Sequence, residues 1–292
     1  MEPVQVNGLP LSLKEVPEEH ISTILYNLRK HIPETVHVHE YACMLLKYKR
    51  ANPDLEIFFW APGGDYRLGI IFFQLQERSL IGSIYCENEE ARKAMETTLM
   101  STTLNLPLRP MTLLSGLTSN SHLAAKPYMD KNSWFDSRGK IYWMPWSTAK
   151  ELQVHLPEGV EIRELNPEHS DIIDIEWPHS FPGSKQMLER QIRYNFGLGV
   201  FRGDDLLSWA IQFYYGGIGA VQTLENEKRK GYGKAVVEAM TKKLGEMQKD
   251  VHLNIVEGNE TSEAFFKSLG FRFAYDSHWV GKNFNITHTS LS

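Results

Sequence analysis

The chain has 292 residues, of which 42% are hydrophobic and 23% charged, and its formal net charge is -5. This composition is typical of a globular protein with one large or two medium domains. The acidic balance argues against a nucleic-acid-binding protein, which usually carries a basic face, so we expect no nucleic-acid partner.

Residues 1–19 contain early acidic side chains and no apolar core, a pattern that predicts neither a secretory signal nor a usual mitochondrial presequence. No apolar run is long enough to span a bilayer, so we expect no membrane partner. Two cysteines, Cys43 and Cys86, are too few for a disulfide framework and indicate a reducing compartment. We therefore expect an intracellular protein and favour the cytoplasm.

His37 and His39 lie near Cys43 and form the only sequence cluster of metal-ligand side chains. The cluster lacks the spacing of a zinc site, so we interpret it as structural and predict no metal. The motif Gly-x-Ser-x-Gly is absent from the sequence, which argues against an α/β-hydrolase.

Residues 1–145 are predicted to form an α/β domain. Amphipathic spacing and good helix formers predict its helices, and short apolar runs between turn residues predict its strands. The predicted helices span 18–31, 38–50 (the least regular) and 89–100, and the predicted strands span 55–60, 67–75 and 80–85. Residues 115–140 are polar, so we expect mostly loops there with a short helix at 122–129, before a strand at 140–144.

Proline and serine residues predict a linker at 146–157, which separates the first domain from a second domain at 158–284. The polar segment 285–292 is predicted to be a mobile tail. The linker and the tail thus bracket one C-terminal domain.

The second domain is predicted to combine strands and helices. Its predicted strands span 160–164, 198–202, 206–214, 217–224, 252–256 and 278–282, and its first predicted helices span 166–175 and 184–195. Asn166 and Ser184 are the predicted N-caps of those two helices. A longer helix follows the glycines at 231 and 233, and its spacing predicts burial of Val236, Met240, Leu244 and Met247.

The stretch from Val221 to Phe271 carries the clearest functional signal. An apolar strand ends at Leu224, and Lys230-Gly231-Tyr232-Gly233-Lys234 then opens an amphipathic helix. Backbone N–H groups at a helix start lack intrahelical acceptors, and glycine lets the main chain approach a phosphate closely. The spacing of the two glycines matches neither the dinucleotide fingerprint nor the P-loop. The stretch therefore predicts an anion site, with positive charge from Lys228, Arg229, Lys230 and Lys234.

The order of features in this stretch resembles the GNAT superfamily of acyl-CoA-dependent N-acyltransferases. The features are a strand, a glycine turn and a helix, then a second strand, Asn259, a short helix and Leu269-Gly270-Phe271. The family turn reads [Gln/Arg]-x-x-Gly-x-[Gly/Ala], and here Lys228 replaces the first residue, keeping the charge but not the fork geometry of arginine. Thr223-Leu224, Lys230-Gly231-Tyr232 and Asn259 are more similar to the glycine N-acyltransferase-like branch, in a divergent form of invertebrate type. The resemblance implies a mixed α/β fold of two tandem GNAT-like domains. The first domain would then be a degenerate copy without the coenzyme site, and the branch also allows a mitochondrial location.

The resemblance also implies where coenzyme A binds. Main-chain amides of the glycine turn would hold its pyrophosphate, and the preceding strand would contact its pantetheine arm. The implied coenzyme-binding residues are Val221, Gln222, Thr223, Leu224, Lys228, Arg229, Lys230, Gly231, Tyr232, Gly233, Lys234, Asn259 and Phe266. The co-substrate is then acyl-CoA, and the partner is a small-molecule amine.

Two acid/base positions of the family are empty in this chain. The glutamate proposed as the base of glycine N-acyltransferases lies fourteen residues before the first glycine, where this sequence has Gly217. The tyrosine that protonates the leaving thiolate in many GNATs lies five residues before the last phenylalanine, where this sequence has Phe266. The candidate catalytic replacements are His179, Glu176 and Glu225, of which histidine best suits neutral pH. The candidate walls of an acceptor pocket are Trp177, Phe181 and Trp209.

We therefore predict an acyl-CoA-dependent N-acyltransferase that acts on a small amine, such as the amino acid glycine. The amine would attack directly in a ternary complex, because no cysteine lies near the motif to form a covalent intermediate. Two alternatives stay open. One is a catalytically impaired acyl-CoA-binding protein, which the empty positions Gly217 and Phe266 favour, and the other is a protein or peptide N-acetyltransferase.

Overall fold

The computed structural model of the protein describes residues 12–76, 78–101 and 104–282. Within these residues the chain forms two units, the first made of 12–141 and 274–282 and the second of 142–273. The predicted tail at 285–292 lies outside the described residues. Among the helices described, none is both long and apolar enough to cross a membrane.

The first unit is built on a mixed sheet. Its strands are β1 (Leu13–Glu15), β2 (Ile57–Pro62), β3 (Ile70–Leu75), β4 (Ser79–Tyr85) and β5 (Met111–Leu117), with parts of β6 (Phe135–Met144) and β12 (Arg272–Lys282). Strands β1 to β5 lie side by side in chain order, and β12 follows β5. All of these neighbours are antiparallel except β4 and β5, which are parallel.

Four helices complete the first unit. They are α1 (Ile21–Lys30), α2 (Val36–Ala51), α3 (Glu89–Leu99) and α4 (Ser119–Lys131). The first three confirm the predicted helices, with small shifts at their ends. Helix α2 packs on β3, β4 and β5, while α4 packs on β4 and β5. The core of this unit includes Phe73, Leu80, Met95, Leu114 and Val280, which come from both helices and strands.

The segment 115–140 differs from the prediction of mostly loops. It contains the end of β5, the 13-residue helix α4 and the start of β6. The polar sequence misled the prediction because α4 buries small side chains such as Ala124 and Ala125, which give weak apolar periodicity. The predicted strand at 67–75 is also shortened by a 3-10 turn, since the Asp65 carboxylate accepts a hydrogen bond from the Arg67 N–H at 3.1 Å.

The second unit repeats the element order of the first. Its strands are β7 (Glu161–Glu164), β8 (Gly197–Arg202), β9 (Asp205–Gln212), β10 (Ile218–Thr223) and β11 (Val251–Val256), and its helices are α5 (Trp146–Ala149), α6 (Ser170–Glu176), α7 (Ser184–Tyr194), α8 (Tyr232–Glu246) and α9 (Glu260–Ser268). Strands β7 to β10 form an antiparallel sheet. From β1 and from β7 onward, the order is one strand, two helices, three strands, and then helix, strand, helix and strand. An internal repeat is therefore visible in the structure.

Helix α8 packs on the sheet of the second unit. Val236, Met240 and Leu244 are buried, as their spacing predicted. Met247 is 48% exposed, contrary to the prediction, because α8 ends at Glu246 and Met247 is only its C-cap. Part of the predicted linker also belongs to this core, since α5 lies within 146–157 and its Ala149 is fully buried.

The predicted N-caps had different outcomes. Asn166 accepts a hydrogen bond from the Glu168 N–H at 3.1 Å and caps the 3-10 turn that leads into α6, so this prediction is confirmed. The N-cap of α7 is Gly183, with φ of 101°, rather than Ser184. The Ser184 hydroxyl instead accepts a hydrogen bond from the Phe181 N–H at 2.9 Å, which closes the loop before α7.

The repeats differ between their fourth and fifth strands. In the first unit β4 and β5 are hydrogen-bonded, with Ser79 opposite Met111. In the second unit the equivalent strands are unpaired: β10 ends its antiparallel sheet, and β11 lies in another sheet. A bulge around Ala220, whose φ is 48°, adds to the irregularity of β10. One edge of β10 therefore has main-chain groups without a partner strand.

Candidate functional site

The turn before α8 depends on backbone conformations that glycine adopts readily. Gly231 is the N-cap of α8 with φ of 87°, and Arg229 has φ of 63°. The left-handed conformation costs most residues about 1–2 kcal/mol, which glycine avoids. Gly233 lies in the first turn of α8, where an added Cβ would be 3.1 Å from the Thr223 hydroxyl oxygen. Glycine at 233 thus lets the helix start pack closely against the end of β10.

The start of α8 presents unsatisfied main-chain donors. The Ala235 N–H donates to the Gly231 carbonyl at 3.0 Å, which is the first hydrogen bond of the helix. The N–H groups of Tyr232, Gly233 and Lys234 precede it and point out of the helix end. No side chain of the described residues caps this end, and the helix macrodipole adds partial positive charge there. This geometry suits an anion.

A buried carboxylate braces the turn. Glu227 is 8% exposed, and its side chain pairs with Arg202 at 3.1 Å and with Lys230 at 3.0 Å. Hydrogen bonds from Arg202 and Lys230 hold the pKa of Glu227 below its ordinary value. Arg202, on β8, also donates to the hydroxyl of the buried Tyr232 at 2.9 Å. The network therefore ties the turn and the first residue of α8 to the sheet.

Exposed cations surround the turn, as the sequence predicted. Lys228 pairs with Glu225 at 2.5 Å, and Lys234 lies 3.7 Å from Glu238. Within the described parts of the chain, Arg229 forms no ion pair. Its guanidinium is therefore the cation of this group least neutralised by neighbouring carboxylates, and it can bind an anion in a bidentate way.

The unpaired edge of β10 lies beside the start of α8, where Gly233 approaches Thr223. The Leu224 N–H donates to the Leu207 carbonyl at 3.0 Å, and the Gln222 carbonyl accepts from the Ser208 hydroxyl at 2.8 Å. Both residues thus direct their main-chain groups toward β9. Because these groups alternate along a strand, those of Val221 and Thr223 face the unpaired edge. The N–H of Leu224, one of the implied coenzyme-binding residues, is thus already used within the protein.

Gly217 lies beside a histidine that the sequence did not single out. A Cβ added at 217 would be 2.7 Å from the Tyr215 ring and 2.9 Å from the His252 Nε2 atom. His252 is on β11 and is fully buried. Its imidazole therefore occupies the space into which a side chain at 217 would project. The only signal in the sequence is a polar residue within an apolar strand.

The loop between α6 and α7 brings aromatic side chains together. The Trp177 ring lies 6.1 Å from the exposed His179 ring, 6.5 Å from Phe181 and 6.1 Å from Phe213 at the end of β9. The structure thus groups His179, Trp177 and Phe181 in this loop, and their place beside an acceptor stays a prediction. Trp209 is fully buried in the sheet, so its proposed role as a pocket wall has no support from its exposure.

The remaining predicted residues have structural contacts. The Asn259 side chain caps α9 by accepting from the Ser262 N–H at 3.0 Å. Phe266 is buried, with its ring 5.7 Å from that of Phe271. Glu176 ends α6 and is half-buried, and Glu225 is exposed beside Lys228. These contacts do not test a role in binding or catalysis, so those roles stay predictions.

Comparison with known proteins gives a family match over part of the chain. Residues 197–280 match the family model described as FR47-like protein. The match includes β10, the glycine turn, α8 and β11. Among curated proteins, none matches this sequence.

Solved structures are similar over most of the chain. A Drosophila protein has a TM-score of 0.76 at 20% identity, covering 94% of this chain and 99% of that chain. A GCN5-related N-acetyltransferase-like protein from Streptococcus suis has a TM-score of 0.50 at 11% identity, covering 90% of this chain and 98% of that chain. A GCN5-related N-acetyltransferase from Sphaerobacter thermophilus has a TM-score of 0.50 at 12% identity, covering 83% of this chain and 85% of that chain.

The fold is that of the GCN5-related N-acetyltransferases. These similarities extend over both units, and both units have the same order of elements. The predicted fold class, a mixed α/β protein of two tandem GNAT-like domains, is therefore confirmed. The glycine N-acyltransferase-like branch stays a prediction.

Proposed function

We propose that the second unit binds acyl-CoA and transfers the acyl group to a small amine, such as the amino acid glycine. The observation that carries this proposal is the meeting of the α8 start with the unpaired edge of β10. The helix start offers N–H donors for a diphosphate, and the strand edge offers main-chain groups for an extended arm that contains amides. The fold and the FR47-like match over these elements support the assignment.

Coenzyme A would be held mainly by the main chain. Its pyrophosphate would accept hydrogen bonds from the N–H groups of Tyr232, Gly233 and Lys234, with the Arg229 cation beside them. Its pantetheine amides would pair with Val221 and Thr223 as an added strand pairs with a sheet edge. Because main-chain donors are fixed by the fold, little reorganisation is needed on binding.

The transfer itself forms a carbon–nitrogen bond and breaks the thioester carbon–sulfur bond. Negative charge develops on the carbonyl oxygen, so an N–H that faces the open edge, from Val221 or Thr223, would stabilise it. The attacking amine must lose a proton to a base, and the leaving thiolate of coenzyme A takes one up. No covalent bond to the protein is required.

His179 and His252 are the two candidates for the base. His179 is exposed on the aromatic loop and is the residue that the sequence favours. His252 lies beside the position of the family glutamate, against Gly217. An imidazole accepts a proton through its unprotonated ring nitrogen, which is the chemistry that a general base needs.

A protein that binds acyl-CoA without turnover is the second candidate. The crowding at Gly217 favours it, because a side chain there would meet Tyr215 and His252 within 2.9 Å. The buried Phe266 favours it as well, since a phenyl ring cannot donate a proton to a thiolate.

Two measurements on the full chain test these proposals. Calorimetric titration with coenzyme A measures binding, and free-thiol release with a panel of acyl-CoA thioesters and amines measures turnover. We expect Gly231→Asp to weaken coenzyme A binding at least about tenfold, because it adds a carboxylate beside the pyrophosphate. Gly203→Asp is the control: Gly203 has φ of 57°, and its added Cβ would meet no heavy atom within 4 Å.

Each outcome has one meaning. Affinity that is retained in folded Gly231→Asp would contradict the site. Tight binding by the unmodified protein without turnover of any amine would support the second candidate. Turnover with glycine would support the first.

A further inference from the structure

Three side chains with metal-ligating atoms meet in the first unit. They are His122 on α4, Asp136 near the start of β6 and His278 on β12. One ligand atom from each lies within 4.8 Å of the others. The sequence indicated candidate ligands only around His37, His39 and Cys43, so this cluster is an addition from the structure. Asp136 is 14 residues from His122 and 142 residues from His278 along the chain, so no local spacing indicated the cluster.

The Asp136 carboxylate bridges the two imidazoles. The His122 Nε2 atom lies 2.7 Å from Oδ2, and the His278 Nδ1 atom lies 2.8 Å from Oδ1. The two rings stack with centroids 3.6 Å apart and 9° between their planes. Two imidazole nitrogen atoms and one carboxylate therefore lie close together.

Each of the three residues lies on a helix or a strand. His278 is opposite Leu117, the last residue of β5, and a register shift follows between His278 and Val280. Bulges of this kind redirect side chains. The chain continues from β5 directly into α4, which carries His122 one turn after its start at Ser119. The ligands thus come from regular elements, which hold a site more precisely than loops do.

We propose that His122, Asp136 and His278 bind a divalent first-row transition metal ion such as Zn²⁺. Two histidines and one carboxylate form a known type of zinc ligand set, with a water molecule in the fourth position. Tetrahedral ligand atoms at about 2.1 Å from zinc are about 3.4 Å apart, so the required shifts are small. The stacked rings must tilt apart for both nitrogens to point at one ion.

Charge and exposure at the cluster suit a cation. Burial and the neighbouring His278 lower the pKa of His122. Burial alone would raise the pKa of Asp136, but the hydrogen bond from His278 and the charges of both histidines bring it below its ordinary value. Nearby Lys126 opposes a cation, although its charge is paired with Asp130 at 2.9 Å. The Asp136 side chain is 31% exposed, so an ion can reach it.

Titration of the metal-stripped full chain with Zn²⁺ and Co²⁺ tests the proposal. We expect one equivalent to bind and Co²⁺ to give the visible absorption of a tetrahedral site. His278→Gln and Asp136→Asn should each weaken binding more than about tenfold, because each removes a ligand or its charge. The control is His31→Gln: His31 lies 3.4 Å from Glu87 in an exposed pair, and no third ligand joins them among the described residues.

Three results would overturn the proposal. The first is the lack of a stoichiometric complex, and the second is an affinity of both ligand variants equal to that of the unmodified protein. The third is a loss of affinity in His31→Gln as large as that in the ligand variants. If the ligand variants fail to fold, X-ray absorption of the Zn²⁺-loaded unmodified protein decides instead. Two imidazole nitrogens and carboxylate oxygen around the metal support the site, and any other ligand set contradicts it.

Discussion

Two histidines are the proposed bases of the transfer, His252 beside Gly217 and His179 on the aromatic loop. We expect His252→Gln to lower kcat for thiol release by about a hundredfold or more, because it removes a titratable ring but keeps a polar side chain. The limb of the pH–kcat profile that reports the base should disappear, while coenzyme A affinity stays unchanged. Both are measured by thiol release across pH and by calorimetry. His179→Gln is the matched variant. If the limb of the pH–kcat profile disappears in His179→Gln and persists in His252→Gln, then His179 is the base and His252 is structural.

The glycines and cations of the turn could be predicted from sequence, whereas His252 could not. Gly231 and Gly233 are required by the backbone geometry of the turn, and the residues that form this turn are adjacent in the sequence. His252 approaches Gly217 across two strands that are far apart along the chain. The same holds for His122 and His278, whose rings stack through tertiary contact. Local chemistry is thus readable from sequence, but convergence of distant side chains is not.

The turn between β10 and α8 is held by the buried carboxylate of Glu227. Its pKa is lowered by Arg202 and Lys230, so its charge stabilises the fold above the unfolded value of about 4.3. That stabilisation is lost as pH falls through the lower folded value. We therefore expect Glu227→Gln to lower the free energy of unfolding near neutral pH. The difference from the unmodified protein should become smaller as the pH falls.

Urea denaturation at several pH values measures this difference. Glu225→Gln is the control, because Glu225 is exposed and pairs only with Lys228 among the ion pairs described. A difference for Glu227→Gln that does not vary with pH would show that the side chain acts through packing rather than charge.

Elements with strong periodicity were predictable, and those that depend on packing were not. Helices α1 and α8 follow from their apolar faces, which the structure buries, and α3 follows from its many good helix formers. Helix α4 was missed because its buried face is made of small residues. The separation of β10 from β11 has no local signal either, since each strand has an ordinary apolar pattern.

The two units of the molecule share an element order but differ in their capacity for coenzyme A. In the first unit, β4 and β5 are hydrogen-bonded, so the equivalent strand edge is closed. Helix α3, the equivalent of α8, begins at Asn88, whose side chain accepts from the Ala91 N–H at 3.0 Å. Glu89 and Glu90 follow in its first turn and would repel a pyrophosphate. The degenerate copy expected from sequence therefore lacks the strand edge, the free donors and the positive charge.

One molecule of coenzyme A should consequently bind to each chain. Calorimetry should give a stoichiometry of one, and Gly231→Asp should weaken that single event without exposing a second. Hydrogen exchange should slow on binding at the amides that the ligand covers, which are Val221, Thr223, Tyr232, Gly233 and Lys234, because their N–H groups become donors to it. Slowed exchange around β4 and the start of α3, or a stoichiometry of two, would show that the first unit kept a site despite its paired strands and capped helix.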